Sequence, residues 1–293
     1  MKILFIINPK SGKGRDPQEI IDAVTLNFPQ ASWALTEAPG HATQLAQKAV
    51  QQNYEAVAAV GGDGTINETA RALVHTQTAL GVIPNGSGNG LAREMGMPLS
   101  VEESLLRLQT AHAVPCDAGK ANGELFLNLA GVGIEAQIAY DFMQYGKSGK
   151  RGMWPYFKLG AKDVLTYRPQ PIELELDGQK TTVSPLSLAF ANGTQYGSNF
   201  KIAPQASLTD GWLDCVLIKN ESKLKLLCAL PSFFTSDPAH KGVTQTTRVK
   251  KAVLRQAGEI IYHLDGEPKT TQDRLEISIE PSALNLLLPV KAH

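Results

Sequence analysis

Residues 56–71 read AVAAVGGDGTINETAR, and this stretch predicts a strand, a glycine-rich turn and a helix in direct succession. Its first five residues are apolar and typical of a buried strand. Gly61, Gly62 and Gly64 follow, and backbone N–H groups at such a turn can face an anion at the start of a helix. Asp63 would repel that anion unless a cation lay between them, so the stretch favours Mg²⁺ bound to a polyphosphate. The alternative is a plain strand-to-helix turn with a solvated carboxylate.

A second glycine-rich turn lies one strand–helix unit further along the chain. Residues 80–84 form another short apolar run, and residues 85–93 read NGSGNGLAR. Two such turns would lie side by side at the carboxyl edge of a parallel sheet, where open α/β sheets bind their ligands. We therefore expect both turns to contribute to one ligand-binding edge.

Three glycine motifs resemble the diacylglycerol kinase catalytic domain: NPKSGKG at 8–14, GGDGTINE at 61–68 and PNGSGNGLAR at 84–93. That superfamily covers bacterial soluble lipid kinases, diacylglycerol kinases, and sphingosine and ceramide kinases. Segments in the second half resemble its later motifs, namely FLN at 126–128, IAP at 202–204, DGWLD at 210–214 and LDGE at 264–267. The resemblance implies ATP- and Mg²⁺-dependent transfer of a phosphoryl group to a lipid hydroxyl, with diacylglycerol or a related glycerolipid as the acceptor.

Candidate site residues follow from the motifs and from the resemblance. The nucleotide cradle is predicted at Gly62, Asp63, Gly64, Thr65 and Asn67, and the resemblance adds Asn8, Thr36 and Ser87. Asp63 and Glu267 are the candidate catalytic acids, with Glu267 implied as the base that accepts the proton of the lipid hydroxyl. The resemblance also implies a structural Mg²⁺ at Asp210, with backbone carbonyls of Ser207 and Trp212 as further ligands. Solvated turn acids at 210 and 267 and a plain strand-end threonine at 36 are the alternatives.

The pattern of the sequence changes near residue 113. Before that point strands alternate with helices, which predicts a doubly wound, parallel α/β sheet. Beyond it, strands punctuated by Asn-Gly and Asp-Gly turns predict an antiparallel β-sandwich, interrupted by a helical insertion over roughly 134–167. We expect a nucleotide-binding domain at 1–120, completed by 284–293, a lipid-substrate domain at 121–283, and the active site in the cleft between them.

Composition restricts the partners and the compartment. Lys plus Arg and Asp plus Glu number 28 each, so no overall field attracts nucleic acid. The three cysteines are widely separated, which fits a reducing cytoplasm. No run approaches the ~18 apolar residues that span a bilayer, and the first residues do not read as a signal peptide. We expect a cytoplasmic protein that contacts the inner membrane surface transiently. The sequence leaves the oligomeric state open, with a homodimer as one alternative.

One basic and aromatic segment is a candidate for that membrane contact. Residues 147–162 read KSGKRGMWPYFKLGAK, with five positive charges and no acid. Trp and Tyr favour the headgroup level of a bilayer, and each basic residue near an anionic surface adds ~1 kcal/mol. The alternative is that the aromatic residues belong to the core and the lysines form a solvated rim.

Other functions share parts of this pattern. NAD kinase and phosphofructokinase carry a GGDG loop, but the later motifs fit the lipid kinases better. A catalytically silent nucleotide- or lipid-binding regulator would more often have lost Asp63 or Glu267. A sphingoid-base kinase remains open, because sphingosine kinases anchor the amine with an acid after the FLN motif. Gln137 stands at the expected position and favours a neutral acceptor, although Glu135 lies two residues before it.

Overall fold

The structure is a computed structural model, and it describes residues 1–12, 15–146, 166–197, 199–235 and 242–289. The chain divides into two compact units: unit 1 contains Met1–Ala118 and Pro281–His293, and unit 2 contains Gly119–Glu280. The segment predicted to contact membranes, 147–162, lies outside the described residues. Among those residues, none of the helices combines the length and the apolar character needed to cross a bilayer.

Unit 1 is built on a parallel sheet with the strand order β2-β1-β3-β4. The strands in this order are β1 (Ile3–Ile7), β2 (Ser32–Leu35), β3 (Ala56–Gly61) and β4 (Ala79–Pro84). Unit 1 also contains residues 112–118 of β5 (His112–Ala121) and 281–288 of β14 (Glu267–Leu288), and β14 pairs with β4 in parallel. Its helices are α1 (Pro17–Asn27), α2 (His41–Gln51), α3 (Asp63–Leu73), α4 (Gly90–Glu94) and α5 (Val101–Gln109). All residues of β1, β3 and β4 are buried, as expected for a parallel sheet covered on both faces. The predicted α/β architecture is confirmed.

Two helices of unit 1, α1 and α5, begin at a side chain that accepts a hydrogen bond from one of their first N–H groups. The Asp16 side chain accepts a hydrogen bond from the Gln18 N–H, and Pro17 occupies the first helical position of α1. Ser100 caps α5 in the same way by accepting from the Glu103 N–H. These local signals fix where α1 and α5 start and therefore where the loops before them must end.

Unit 2 consists of antiparallel strands and short helices. Its strands are residues 119–121 of β5 (His112–Ala121), β6 (Glu124–Phe126), β7 (Leu129–Gly133), β8 (Ile172–Leu176), β9 (Gln179–Val183), β10 (Ser187–Ala191), β11 (Leu213–Ile218), β12 (Thr244–Val249), β13 (Lys251–Leu264) and the first part of β14 (Glu267–Leu288). The order is β12-β11-β10-β7-β13-β14, with β8 paired to β13 and to β9. Its helices are α6 (Ile134–Gly146), α7 (Lys223–Ala229) and a 3₁₀ helix (Leu230–Phe234). The predicted insertion thus begins with α6, and residues 147–165 are not described.

Alternation along the central strands gives unit 2 two hydrophobic cores. Leu188 and Phe190 point into one core, and the intervening Ala189 and Ala191 point into the other. Successive side chains of a strand face opposite sides, so one sheet buries both of its faces here. Ala229 of α7 and Phe233 of the 3₁₀ helix cover the second core. The predicted antiparallel β architecture of the second half is confirmed.

Candidate active site

Parallel pairing brings the predicted nucleotide residues to one edge of the unit 1 sheet. Asn8, Thr36 and Gly62 directly follow the carboxyl ends of β1, β2 and β3, and Ser87 lies in the turn after β4. Backbone hydrogen bonds hold these ends together, from the Asn8 N–H to the Val60 carbonyl (3.0 Å), from the Thr36 N–H to the Ile7 carbonyl (2.9 Å) and from the Asn85 N–H to the Gly61 carbonyl (2.8 Å). The expected side-by-side arrangement of the glycine turns is therefore present.

Asp63 joins the first glycine turn to the second. It is the first residue of α3, and its carboxylate accepts hydrogen bonds from the Asn89 N–H (2.9 Å) and the Gly90 N–H (2.8 Å). Both donors lie at the start of α4, where backbone N–H groups have no partner within the helix. The carboxylate thus satisfies two N–H groups and fixes the distance between the turns.

Close contact between the two turns explains their glycines. A Cβ on Gly88 would lie 2.8 Å from Oδ2 of Asp63, and a Cβ on Gly86 would lie 2.5 Å from the Gly62 Cα. Asn89 has φ 52° and shapes the second turn with its side chain, which accepts from the Gly86 N–H (3.0 Å) and donates to the Gly86 carbonyl (2.9 Å). No larger residue fits at positions 86 and 88 while Asp63 holds the turns together.

The loop after β1 is attached to the same edge. Asn8 Nδ2 donates to Thr65 Oγ1 (2.9 Å), and Asn85 Nδ2 donates to the Ser11 carbonyl (3.2 Å). Thr65 and Asn67 are buried, whereas Gly64 and Ser87 are exposed. Within the predicted cradle, Thr65 therefore holds the loop after β1 and Asn67 is buried, whereas Gly64 and Ser87 face solvent, where a ligand could reach them.

In unit 2 the LDGE turn is fixed by Asp265, a residue that the sequence analysis passed over. Asp265 (φ 49°) and Gly266 (φ 85°) form the two-residue hairpin turn between β13 and β14, which suits Asp-Gly. The Asp265 carboxylate accepts hydrogen bonds from three successive N–H groups, those of Leu127, Asn128 and Leu129, at 2.8–2.9 Å. This links the LDGE and FLN motifs and holds Glu267, an exposed residue at the start of β14, at a defined place.

The Asp210 turn contains one carboxylate that is already bonded to protein donors. Asp210 accepts from the Trp212 N–H (3.1 Å) and pairs with the Arg248 guanidinium, which also lies over the Trp212 ring. Burial raises the pKa of the neighbouring Asp214, and Arg248 opposes that rise. In the part of the chain that the structure describes, no three His, Cys, Asp or Glu side chains come together as metal ligands. Mg²⁺ binding by Ser207, Asp210 and Trp212 stays a prediction.

A large apolar cavity, which the sequence analysis missed, lies within unit 2. It has a volume of about 840 Å³, and its walls come from α6, α7, the 3₁₀ helix and the strands beside them. Most of its lining is aliphatic or aromatic, including Ile138, Met143, Phe200, Leu226, Leu230 and Phe233. Gly266 and Pro268 also line it, so the cavity reaches the residues on both sides of Glu267.

Four polar side chains line this mostly apolar cavity: Lys223 at the start of α7, and three others that we call the polar cluster, Glu135, Tyr196 and His263. Tyr196 donates its hydroxyl to Glu135 Oε1 (2.9 Å). Burial, and then the Glu135 carboxylate, raise the pKa of Tyr196 well above its usual value, so the phenol keeps its proton. His263 Nε2 lies 3.9 Å from the same Glu135 oxygen.

Gln137 does not belong to the polar cluster. It donates to Asp141 (2.9 Å) and lines a separate cavity of about 320 Å³. Glu135, and not Gln137, lines the apolar cavity, so that cavity gives no support to a neutral acceptor through Gln137, and the acceptor stays a prediction.

The Asp63 contacts predict the behaviour of Asp63→Asn. An amide can replace only one of the two accepting oxygens, so one backbone N–H of α4 loses its acceptor, at a cost of ~1–3 kcal/mol. We expect a lower melting temperature and a loss of phosphoryl-transfer activity of at least ~100-fold. The matched control is Asp22→Asn on the exposed side of α1. A melting temperature and turnover equal to those of wild type would contradict the role of Asp63.

Two family models match nearly the whole chain. Residues 2–121 match the diacylglycerol kinase catalytic domain, and residues 130–288 match the YegS C-terminal NAD kinase beta sandwich-like domain. A diacylglycerol kinase of Bacillus subtilis is 30% identical over 90% of this chain and 88% of its own length. A probable YegS-like lipid kinase of Citrobacter koseri is also 30% identical, over 98% of this chain and 95% of its own length.

Solved structures agree in fold. A crystal structure of a putative diacylglycerol kinase from Bacillus anthracis superposes with a TM-score of 0.79 at 22% identity, covering 98% of this chain and 96% of that one. The predicted fold class, an α/β domain followed by a β-sandwich domain, is confirmed. With its glycine turns, its LDGE hairpin and these relatives, the chain belongs to the diacylglycerol kinase catalytic domain family, in the branch that carries a YegS-type C-terminal domain.

Proposed function

We propose that this protein transfers the γ-phosphoryl group of ATP to the hydroxyl of a membrane glycerolipid such as diacylglycerol. The observation that carries the proposal is the apolar cavity of about 840 Å³ that reaches both neighbours of Glu267. Cavities of this size and lining bury apolar ligands and orient them with few polar groups. Two acyl chains match such a lining, whereas NAD or a sugar phosphate does not. Diacylglycerol is also the substrate that the names of several relatives specify.

The edge of the unit 1 sheet is the proposed nucleotide site. Membership of a kinase family supports ATP as the donor, and glycine turns before helices suit a phosphate chain. Mg²⁺ bound to the triphosphate would neutralise charge that develops during transfer. Since both Asp63 oxygens already accept a backbone N–H, Asp63 would meet that ion only through its remaining lone pairs.

Glu267 is the proposed general base. Glu267 is an exposed residue, and the cavity extends to Gly266 and Pro268 beside it. A lipid whose chains fill the cavity would present its polar end at this hairpin. The Asp265 hydrogen bonds support the proposal, because a base must be held at a fixed place to accept a proton efficiently.

A sphingoid base is the second candidate acceptor. Glu135 favours it, since a carboxylate in an apolar cavity can bind an ammonium group. A glycerolipid offers ester carbonyls and a hydroxyl to the polar cluster, whereas a sphingoid base offers an ammonium group. An assay that compares phosphorylation of the two lipids therefore distinguishes these candidates.

Incubation with γ-labelled ATP, Mg²⁺ and a panel of diacylglycerol, sphingosine and total lipid extract tests the function. We expect label in the phosphorylated glycerolipid. Glu267→Gln should lower turnover by ~10²–10⁴-fold, the range of general base catalysis, while ATP affinity stays within about twofold of wild type. Glu173→Gln, an exposed glutamate on β8, is the control and should behave as wild type. Absence of label from every lipid would overturn the proposal.

An exposed apolar row beside the cavity is the proposed place of membrane contact. We define this leucine row as Leu224, Leu227, Leu230 and Phe234 of α7 and the 3₁₀ helix, all exposed. Leu227 and Leu230 also line the cavity, so the apolar surface continues from the outside to the interior. Exposed apolar patches of this kind mark sites of interaction, and a lipid could pass along this one without crossing water.

Substitutions in the leucine row should slow turnover of lipid in vesicles much more than turnover of a soluble acceptor. We expect the double change of Leu224→Ser and Phe234→Ser to weaken vesicle binding and slow turnover of lipid in vesicles, with little effect on a short-chain, water-soluble acceptor. Leu26→Ser with Leu106→Ser is the matched control, because these unit 1 leucines are 81% and 56% exposed, comparable to 71% and 51% in the row. Equal losses on both substrates, or unchanged vesicle binding, would refute the membrane role.

A further inference from the structure

His263 holds a buried hydrogen-bond donor for which the structure shows no acceptor. The side chain is 2% exposed, and its Nδ1 accepts from the Gly266 N–H (3.4 Å). Because Nδ1 accepts, the proton of a neutral imidazole resides on Nε2. Among the residues that the structure describes, Nε2 has no hydrogen-bond partner, and Glu135 is too distant at 3.9 Å. Leaving such a donor unpaired costs free energy, so the position suits a ligand that supplies an acceptor.

Gly131 allows His263 and Glu135 to lie close together. This residue pairs with His263 across β7 and β13. A Cβ at position 131 would lie 2.7 Å from His263 Nε2 and 2.5 Å from Glu135 Oε1. A side chain at position 131 would collide with both polar groups, so glycine at this position lets them lie close together on the wall of the apolar cavity.

The polar cluster specifies the chemistry of its ligand. His263 Nε2–H requires a hydrogen-bond acceptor, and the Glu135 carboxylate has lone pairs beyond the one used by Tyr196 to receive a donor. The ligand must also carry long apolar groups to fill the cavity. An acylglycerol meets all three demands, since its ester carbonyls lie where the chains join the glycerol and its hydroxyl is a donor. An ammonium group only donates, and an ether oxygen is a weaker acceptor than a carbonyl.

We propose that His263 Nε2–H donates a hydrogen bond to an ester carbonyl of the acceptor lipid, and that this contact selects acylglycerols over ether lipids and amines. The inference rests on the proposed function and refines it. The same imidazole is bonded through Nδ1 to Gly266, the residue before Glu267. A carbonyl bound at Nε2 therefore fixes the glycerol relative to the hairpin that holds the proposed base.

The test compares a short-chain 1,2-diacylglycerol with the 1,2-dialkylglycerol of equal chain length, which lacks both carbonyl oxygens. We expect wild-type kcat/KM to favour the diester by about 10-fold, the effect of one hydrogen bond to a buried donor. His263→Asn keeps an acceptor near the position of Nδ1 but loses the Nε2 donor, so the ratio should fall to about 1. His263→Gln keeps a donor near Nε2 and should retain a preference for the diester. The ratio does not depend on the folded fraction of each variant.

Three outcomes would overturn the inference. Equal use of both lipids by wild type would show that no carbonyl is recognised, and an unchanged ratio in His263→Asn would show that another group recognises it. Phosphorylation of sphingosine in preference to both glycerolipids would show that the polar cluster binds an amine and not an ester carbonyl. Each of these leaves lipid kinase activity intact, whereas failure to phosphorylate any lipid would refute the proposed function itself.

Discussion

The Asp63 carboxylate accepts two hydrogen bonds, from the Asn89 and Gly90 N–H groups. The geometry of the proposed nucleotide site, at the edge of the unit 1 sheet, depends on this constraint. These hydrogen bonds hold two glycine turns in contact, and that contact in turn requires glycine at positions 86 and 88. Asp265 plays the corresponding part in unit 2, where it accepts from three backbone N–H groups of the FLN segment. Hydrogen bonds to an ionised acceptor are stronger than those between neutral groups. In both units a carboxylate therefore fixes a loop that the proposed chemistry needs in one conformation.

Each unit contributes a different part of the proposed reaction. The parallel sheet of unit 1 places polar and glycine-rich turns at the carboxyl ends of β1 to β4, which suits a phosphate chain. The antiparallel sheet of unit 2 buries both faces, and helices α6 and α7 enclose an apolar cavity beside it. The polar cluster and the LDGE hairpin meet at that cavity through His263 and Gly266.

The sequence predicted the local features and missed those that depend on distant residues. The strand, turn and helix of 56–71 were predictable because apolar runs, glycines and helix starts are signals within a few residues. The partners of Asp265 are 136 to 138 residues away, and no local pattern indicates them. The cavity was missed for the same reason, since its walls come from separate segments. Glu135 and Gln137 line different cavities, because residues two apart on a helix do not face the same side, and the sequence alone did not show which of them faces the apolar one.

Residue-resolved amide hydrogen exchange of the ligand-free protein tests the central claim most directly. If the Asp63 carboxylate holds the second glycine turn before any nucleotide binds, the Asn89 and Gly90 amides should exchange far more slowly than those of an exposed loop. The Leu127, Asn128 and Leu129 amides, held by Asp265, should show similar protection. Exchange of the Asn89 and Gly90 amides at the rate of an unstructured peptide would contradict the account. It would show that the hydrogen bonds to Asp63 do not hold the second glycine turn at the edge of the unit 1 sheet.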